Sequence, residues 1–235
     1  MYKTHFEILF LRATEEYYKL KSKAFLAEKS VSDYLTKTEE LLSEEEDRVE
    51  KYFNTETRKP LIRSCMQVLI REHFKSMHKT SQSLFDRDSY EDLRRMYGFL
   101  ARNPDDLKPL RDKFEEHVKR VGLTAVSGLR VWKGGAVTEI DPKDYVDTLF
   151  EVHRKSSWTI AWCFKSEAGF VARLDKACRD FISKNAATGG SRTKSPELLA
   201  EYADALLRRG NKMAEEDLDS ALNRVVCTLS GWLGA

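Results

Sequence analysis

The sequence predicts an all-α protein whose helices follow one another through short connections. Apolar side chains recur every three or four residues almost from end to end, and period-two alternation bounded by turn residues is absent. The chain also holds only 11 Gly and 5 Pro in 235 residues. With 41% hydrophobic and 33% charged side chains it has the composition of a folded protein, which excludes disordered, collagenous and low-complexity classes. At roughly 100 to 200 residues per domain, this length allows one elongated domain or two small ones.

Each helix has its own signature. Phe6, Leu9, Phe10, Ala13, Tyr17, Leu20 and Ala24 line one stripe of a long first helix. Ser30, with Asp33 three residues later, opens a second helix whose stripe is Tyr34, Thr38, Leu41, Leu42, Val49, Tyr52 and Phe53. Within it, Glu44, Glu45, Glu46 and Asp47 read as a solvated face. Ile62, Cys65, Met66, Leu69, His73 and Met77 mark a third helix, and a short fourth from Ser89 buries Leu93, Met96, Tyr97 and Leu100.

Asn103-Pro104 has the form of a cap followed by proline at the first helical position, where a missing amide hydrogen is harmless. Leu110, Phe114, Val118, Val121 and Ala125 form the fifth stripe. The start signal returns at Asp141-Pro142, before Tyr145, Leu149 and Val152, and at Ser195-Pro196, before Leu199, Tyr202, Ala203 and Leu206. Phe170, Leu174, Ala177, Cys178 and Phe181 define a helix between them. Leu218, Ala221, Leu222 and Val225 define the last, for about nine in all. Gly128 through Ile140 and Gly189 through Lys194 read as surface loops.

Forty basic against 38 acidic residues leave a net charge of +2, which argues against a dedicated nucleic-acid binder. The first twenty residues are charged every few positions and lack the apolar core of roughly 7 to 15 residues that a signal peptide needs. No uncharged run approaches the roughly 20 residues of a membrane span. Cys65, Cys163, Cys178 and Cys227 are widely spaced in a chain this long, which fits the reducing interior of a cell. A soluble protein of cytoplasm and nucleus is the expectation.

No constellation of catalytic or metal-binding residues emerges. His73 and His78, five apart, lie about 140° apart round a helix and cannot both grip one ion. Cys-x-x-Cys is missing, and His153 reads as a half-buried helix residue. The run Gly189-Gly190-Ser191-Arg192-Thr193-Lys194-Ser195 has a Lys-Ser pair opening a helix, yet a phosphate loop needs glycine before that lysine and a strand before the loop. Arg208-Arg209 suit the last turn of their helix. Trp158 and Trp162, four apart, share a helical face, where core packing or shielding of a neighbouring helix is preferred over an exposed partner anchor. The expected site is therefore catalytic none, cofactor none, metal none.

The segment Ser195-Pro-Glu-Leu-Leu-Ala-Glu-Tyr-Ala-Asp-Ala-Leu-Leu-Arg-Arg209 resembles a signature string of the cullin family. Agreement continues in Ala168 through Ile182, Tyr145 through Lys155, Asp92 through Tyr97, Tyr34 through Glu40 and Tyr2 through Tyr18. The likeness runs over residues 2 to 226, in order, and is greatest to cullins of SCF-type complexes.

It implies two consecutive five-helix cullin-repeat bundles forming an elongated rod. Residues 1–112 would be the second repeat of the family's stalk, 113–228 the third, and 229–235 a divergent, disordered tail. Val118, Val121 and Leu123, on the helix bridging the repeats, would be buried between them. By the same resemblance the chain is a non-catalytic scaffold segment of a cullin-RING ubiquitin ligase, spacing the substrate-receptor and RING modules. Its partners would be proteins only, with no nucleic acid, membrane or cofactor. The adaptor-binding and RING-box-binding regions would lie outside it. Cys227 through Ala235 departs from the family's continuation, as in a truncated or mis-spliced product. Composition leaves one alternative open, an unrelated helical rod such as a vesicle-tethering subunit.

Overall fold

A computed structural model describes residues 3–129, 132–133, 136–137, 140–185 and 193–208. Among them the helices are α1 (Ile8–Glu28), α2 (Val31–Tyr52), α3 (Arg58–Leu69), α4 (Phe74–Asp86) and α5 (Tyr90–Leu100). After these come α6 (Lys108–Ser127), α7 (Pro142–Phe164), α8 (Ala168–Ser183) and α9 (Lys194–Leu207). The chain divides into two compact units, Met1–Leu110 and Arg111–Ala235, and the division falls in the first turn of α6. The helix expected over Leu218 to Val225, Cys227 and the tail to Ala235, Arg209, and most of the loop from Gly189 lie outside the described residues.

The helix starts behave as their chemistry requires. Ser30 Oγ accepts the Asp33 amide at 3.1 Å and donates to the Asp33 carboxylate at 2.7 Å. Asp141 accepts the Lys143 amide at 2.8 Å and places Pro142 where no amide hydrogen is needed. Asn103 makes no such bond; Pro104–Leu107 instead form a 3₁₀ turn leading into α6. At its C-terminus α7 closes through Lys165 and Ser166, both left-handed (φ 50° and 55°), with the Ser166 amide donating to the Ile160 carbonyl at 3.1 Å.

In the first unit, Leu35, Leu61, Leu69, Ile70, Met77, Leu93 and Met96 are each at most 2% exposed and form the core. In the second, Phe114, Phe164 and Phe170 meet at centroid separations of 4.0 to 5.8 Å, beside buried Tyr145, Leu149, Cys163 and Phe181. Every apolar position expected on α5 and α8 is buried.

Five expectations need correction. The stripe assigned to α1 is not its buried face: Phe6, Leu9, Tyr17 and Leu20 are 41 to 74% exposed, while Thr14, Tyr18 and Ser22 are buried. The burial is rotated by about one residue, because small polar side chains let α1 approach α3 closely and Tyr18 reaches a buried partner. Glu45 is 1% exposed and no part of a solvated face, since it continues the Leu42–Val49 spacing toward the core. The third helix is two: the chain breaks after Leu69 into a 3₁₀ turn (Arg71–His73) before α4, which lets Ile70 and Met77 both be buried.

On α6, Val118 and Val126 are fully buried but Val121 and Leu123 only partly, because the inner face follows Val118, Gly122 and Val126 at four-residue spacing. Finally, Gly128 through Ile140 is not all loop. Residues Trp132–Lys133 (β1) and Ala136–Val137 (β2) pair antiparallel, Trp132 opposite Val137 and Lys133 opposite Ala136.

Candidate functional site

Each unit contains one buried polar cluster. In the first unit, Tyr18 of α1 donates its hydroxyl proton to Glu45 of α2, and Arg48 Nη1 lies 2.8 Å from Glu45 Oε1. Glu45 Oε2 has no hydrogen-bond partner among the described residues. Burial first, and then the Glu45 hydrogen bond, push the Tyr18 phenol far above its ordinary value; burial raises the neighbouring Cys65 thiol to about 12. A thiol so disfavoured as thiolate is a poor nucleophile. With Tyr18 at 2% and Glu45 at 1% exposure, no substrate reaches the pair. The cluster is a packing device.

In the second unit, the Tyr145 hydroxyl of α7 lies 2.7 Å from Ser195 Oγ of α9, and Ser195 also donates to the Ile182 carbonyl of α8 at 2.8 Å. Asn185 Nδ2 donates to Tyr145 Oη at 3.1 Å and to the carbonyls of Phe181 and Ile182. Three helices are thus tied at one buried point. The Lys194-Ser195 pair accordingly serves no phosphate: Ser195 is 2% exposed and its hydroxyl is engaged by the protein. Helix α9 starts at Lys194, so Ser195 is a core residue of the first turn and not the cap.

A row of charges joins α6 to α8. Arg111 grips Glu167 through two hydrogen bonds of 3.0 and 2.9 Å. Further along, Arg173 contacts both Asp112 and Glu115, Lys176 contacts Glu115, and Lys119 contacts Asp180. Partial burial would raise the Glu115 carboxyl, but its bonds to Lys176 and Arg173 outweigh that and hold it below its usual value. Rising numbers pair with rising numbers, so the two helices run parallel. Two glycines permit the approach: a Cβ on Gly169 would fall 2.5 Å from Arg111 Nε, and one on Gly122 would fall 2.6 Å from the Phe181 ring.

The remaining sequence candidates are dispersed. His73 sits in the 3₁₀ turn with Nε2 2.9 Å from Ser22 Oγ, edge-on to Tyr34, whereas His78 stacks on Phe74. Burial lowers both His73 and His153 below the ordinary imidazole value, against the opposing pull of Glu72 and Asp175 respectively. Cys163 and Cys178 are fully buried, and burial raises Cys178 to about 12. Among the described residues no group of three metal-ligating side chains forms, and no helix is long and apolar enough to cross a membrane. Trp158 and Trp162 do share a face, and of the preferred placements burial in the core is not what forms. They stack on each other at 6.0 Å and remain 49% exposed.

Comparison with known proteins accounts for this arrangement. The family model described as the cullin alpha solenoid domain matches residues 1–230. The chain belongs to the cullin family. It is 44% identical over 229 residues to Cullin-1 of Dictyostelium discoideum, covering 96% of this chain and 29% of that protein. Cullin-1 of Caenorhabditis elegans is 38% identical over 222 residues, 92% of this chain and 28% of its own length. Human Cullin-4A is 30% identical over 228 residues, 96% of this chain and 28% of its own. The chain therefore spans less than a third of these relatives. The family match runs past Val226, the last residue of the resemblance read from the sequence, and it does not favour an unrelated helical rod.

In a cullin solenoid the burial of Tyr18, Glu45, Ser195 and Asn185 makes sense as packing specificity. Sequence periodicity missed Glu45, Ser195 and Asn185 because it scores apolar residues and these are polar, and it missed Tyr18 because α1 carries apolar residues on more than one face. The α1 face with Leu9, Tyr17 and Leu20 leaves apolar side chains exposed.

Proposed function

We propose that this cullin chain is a non-catalytic scaffold segment of an SCF-type cullin-RING ubiquitin ligase, acting as a rigid spacer in ubiquitin-dependent protein degradation. The observation that carries the reading is the family match over residues 1–230. Residues 1–112 are read as the second cullin repeat and 113–228 as the third. The substrate-receptor adaptor and the RING-box protein bind elsewhere in the parent protein, which acts in cytoplasm and nucleus. Holding a substrate at fixed distance from the ubiquitin donor raises effective concentration without supplying a reacting group. Supporting this, the buried polar ties link α1 to α2 and α7 to α8 and α9, and the ion row links α6 to α8. The apolar α1 face offers what a neighbouring repeat of a solenoid covers.

A chimera tests the proposal. In a full-length cullin, replacing the matched segment with this chain should preserve ubiquitin transfer, whereas a Gly/Ser linker of equal length should abolish it. Transfer surviving the linker would refute the spacer role. The isolated chain should capture neither an adaptor nor a RING-box protein in a pull-down; micromolar capture of either would move a partner site into this segment.

A further inference from the structure

Within the unit Met1–Leu110, one face of α3 opens onto a groove of about 1050 Å³, bounded also by α1, α2, α5 and the 3₁₀ turn before α6. Lys59, Ile62, Arg63, Met66 and Ile70 recur at three- and four-residue steps and so share that face. Ile62 and Phe99, each 8% exposed, and half-buried Met66 make an apolar floor.

Two of the groove's cations are already matched. Arg58 lies 3.1 Å from Glu46, and Arg71 lies 3.7 Å from Asp106. Lys59, Arg63 and Arg102 are exposed and have no ion-pair partner among the described residues. Three unmatched cations thus rim an apolar surface.

We propose that this groove binds an acidic, extended segment of a partner protein. An extended chain sends alternate side chains to opposite faces, so apolar residues seat on Ile62, Met66 and Phe99 while carboxylates meet Lys59, Arg63 and Arg102. A nucleic acid fits less well. Its continuous phosphates would run into Glu15, Glu46 and Asp106 in the same groove, and it has no use for the apolar floor. The binding surface stands independently of the spacer role, because it needs only the first unit.

The test is fluorescence anisotropy of the 235-residue chain with a short labelled peptide in which Glu alternates with Leu and Phe, beside inorganic polyphosphate as competitor. Saturable binding that weakens with salt is expected, and Lys59→Glu/Arg63→Glu/Arg102→Glu should weaken it about tenfold or more. Lys75→Glu, on α4 outside the groove, should leave it unchanged. The Gln versions of the three substitutions report the same loss should the charge-reversed chain melt early. Absence of saturation, equal binding by the triple variants, or displacement by polyphosphate more readily than by unlabelled peptide would each overturn the proposal.

Discussion

The hydroxyls of Tyr145 and Ser195 lie 2.7 Å apart in the core of the second unit, fifty residues apart in sequence. Each is a stability liability that the other removes. Ser195→Ala removes one buried partner each from the Ile182 carbonyl and the Tyr145 hydroxyl, both still bonded by Asn185, and costs about 1 to 3 kcal/mol. Tyr145→Phe combined with it should cost less than the two changes summed, because the pair shares one interaction. Urea denaturation of the two single variants and the double variant measures the coupling.

Two glycines in helices should respond oppositely to the same change. At Gly98 of α5 a new Cβ meets nothing within 4 Å, so Gly98→Ala should stabilise by about 0.5 to 1 kcal/mol through helix propensity. At Gly122 the new Cβ would press on the Phe181 ring at 2.6 Å. There the overpacking cost of about 1 to 3 kcal/mol exceeds the propensity gain. Melting temperatures should therefore rise for the first variant and fall for the second.

The contrast shows what the sequence could and could not disclose. On α5 and α8 the apolar stripes decide the buried face unaided, since Leu93 through Leu100 and Phe170 through Phe181 present no competing apolar side. On α1, apolar residues occupy more than one face, and the choice falls to Tyr18 reaching Glu45, a contact with residue 45 that local periodicity does not contain. The break between α3 and α4 has no Gly or Pro to announce it. The hairpin of β1 and β2 was legible after all, because Gly134-Gly135 between two short segments is a hairpin signal. As for the proposed groove, Lys59, Arg63 and Arg102 look like ordinary surface charges until α3 and the turn before α6 are brought together.

Mild acid should weaken the fold through two histidines. His73 and His153 have folded values below the ordinary 6.5, so the unfolded chain binds protons first as pH falls. Their contribution is complete above about pH 6.5 and is lost as pH drops toward the lowered folded values. Glu115 acts in a separate, more acidic window: its depressed carboxyl contributes above the ordinary 4.5 and loses that contribution as pH falls through the folded value. Denaturation midpoints of His73→Gln/His153→Gln should lose the slope near pH 6 and keep the one in the carboxylate range.

Helix α9 should be read by paired substitutions on its two faces. Leu206 is 6% exposed and Leu199 5%, whereas Glu201 is exposed. Leu206→Ala should cost about 2 to 5 kcal/mol, with the lower half of that range fitting a position in the last turn of the helix. Glu201→Ala should change stability by less than about 0.5 kcal/mol. Equal losses would mean that this segment faces a partner and not the core.

The α1 face gives the sharpest test, because periodicity and structure disagree about it. Periodicity buries Leu20 and leaves Tyr18 outside; the structure leaves Leu20 74% exposed and Tyr18 2%. Leu20→Lys should therefore shift the stability of this chain by no more than about 0.5 kcal/mol. Tyr18→Phe, a smaller change in shape, should cost more. It strips Glu45 of its buried hydrogen bond and leaves the carboxylate to its ion pair with Arg48. Charge at residue 45 then becomes the burden, so Tyr18→Phe combined with Glu45→Gln should recover part of the loss. A Leu20→Lys chain that melts well below Tyr18→Phe would restore the periodic stripe as the packed face of α1.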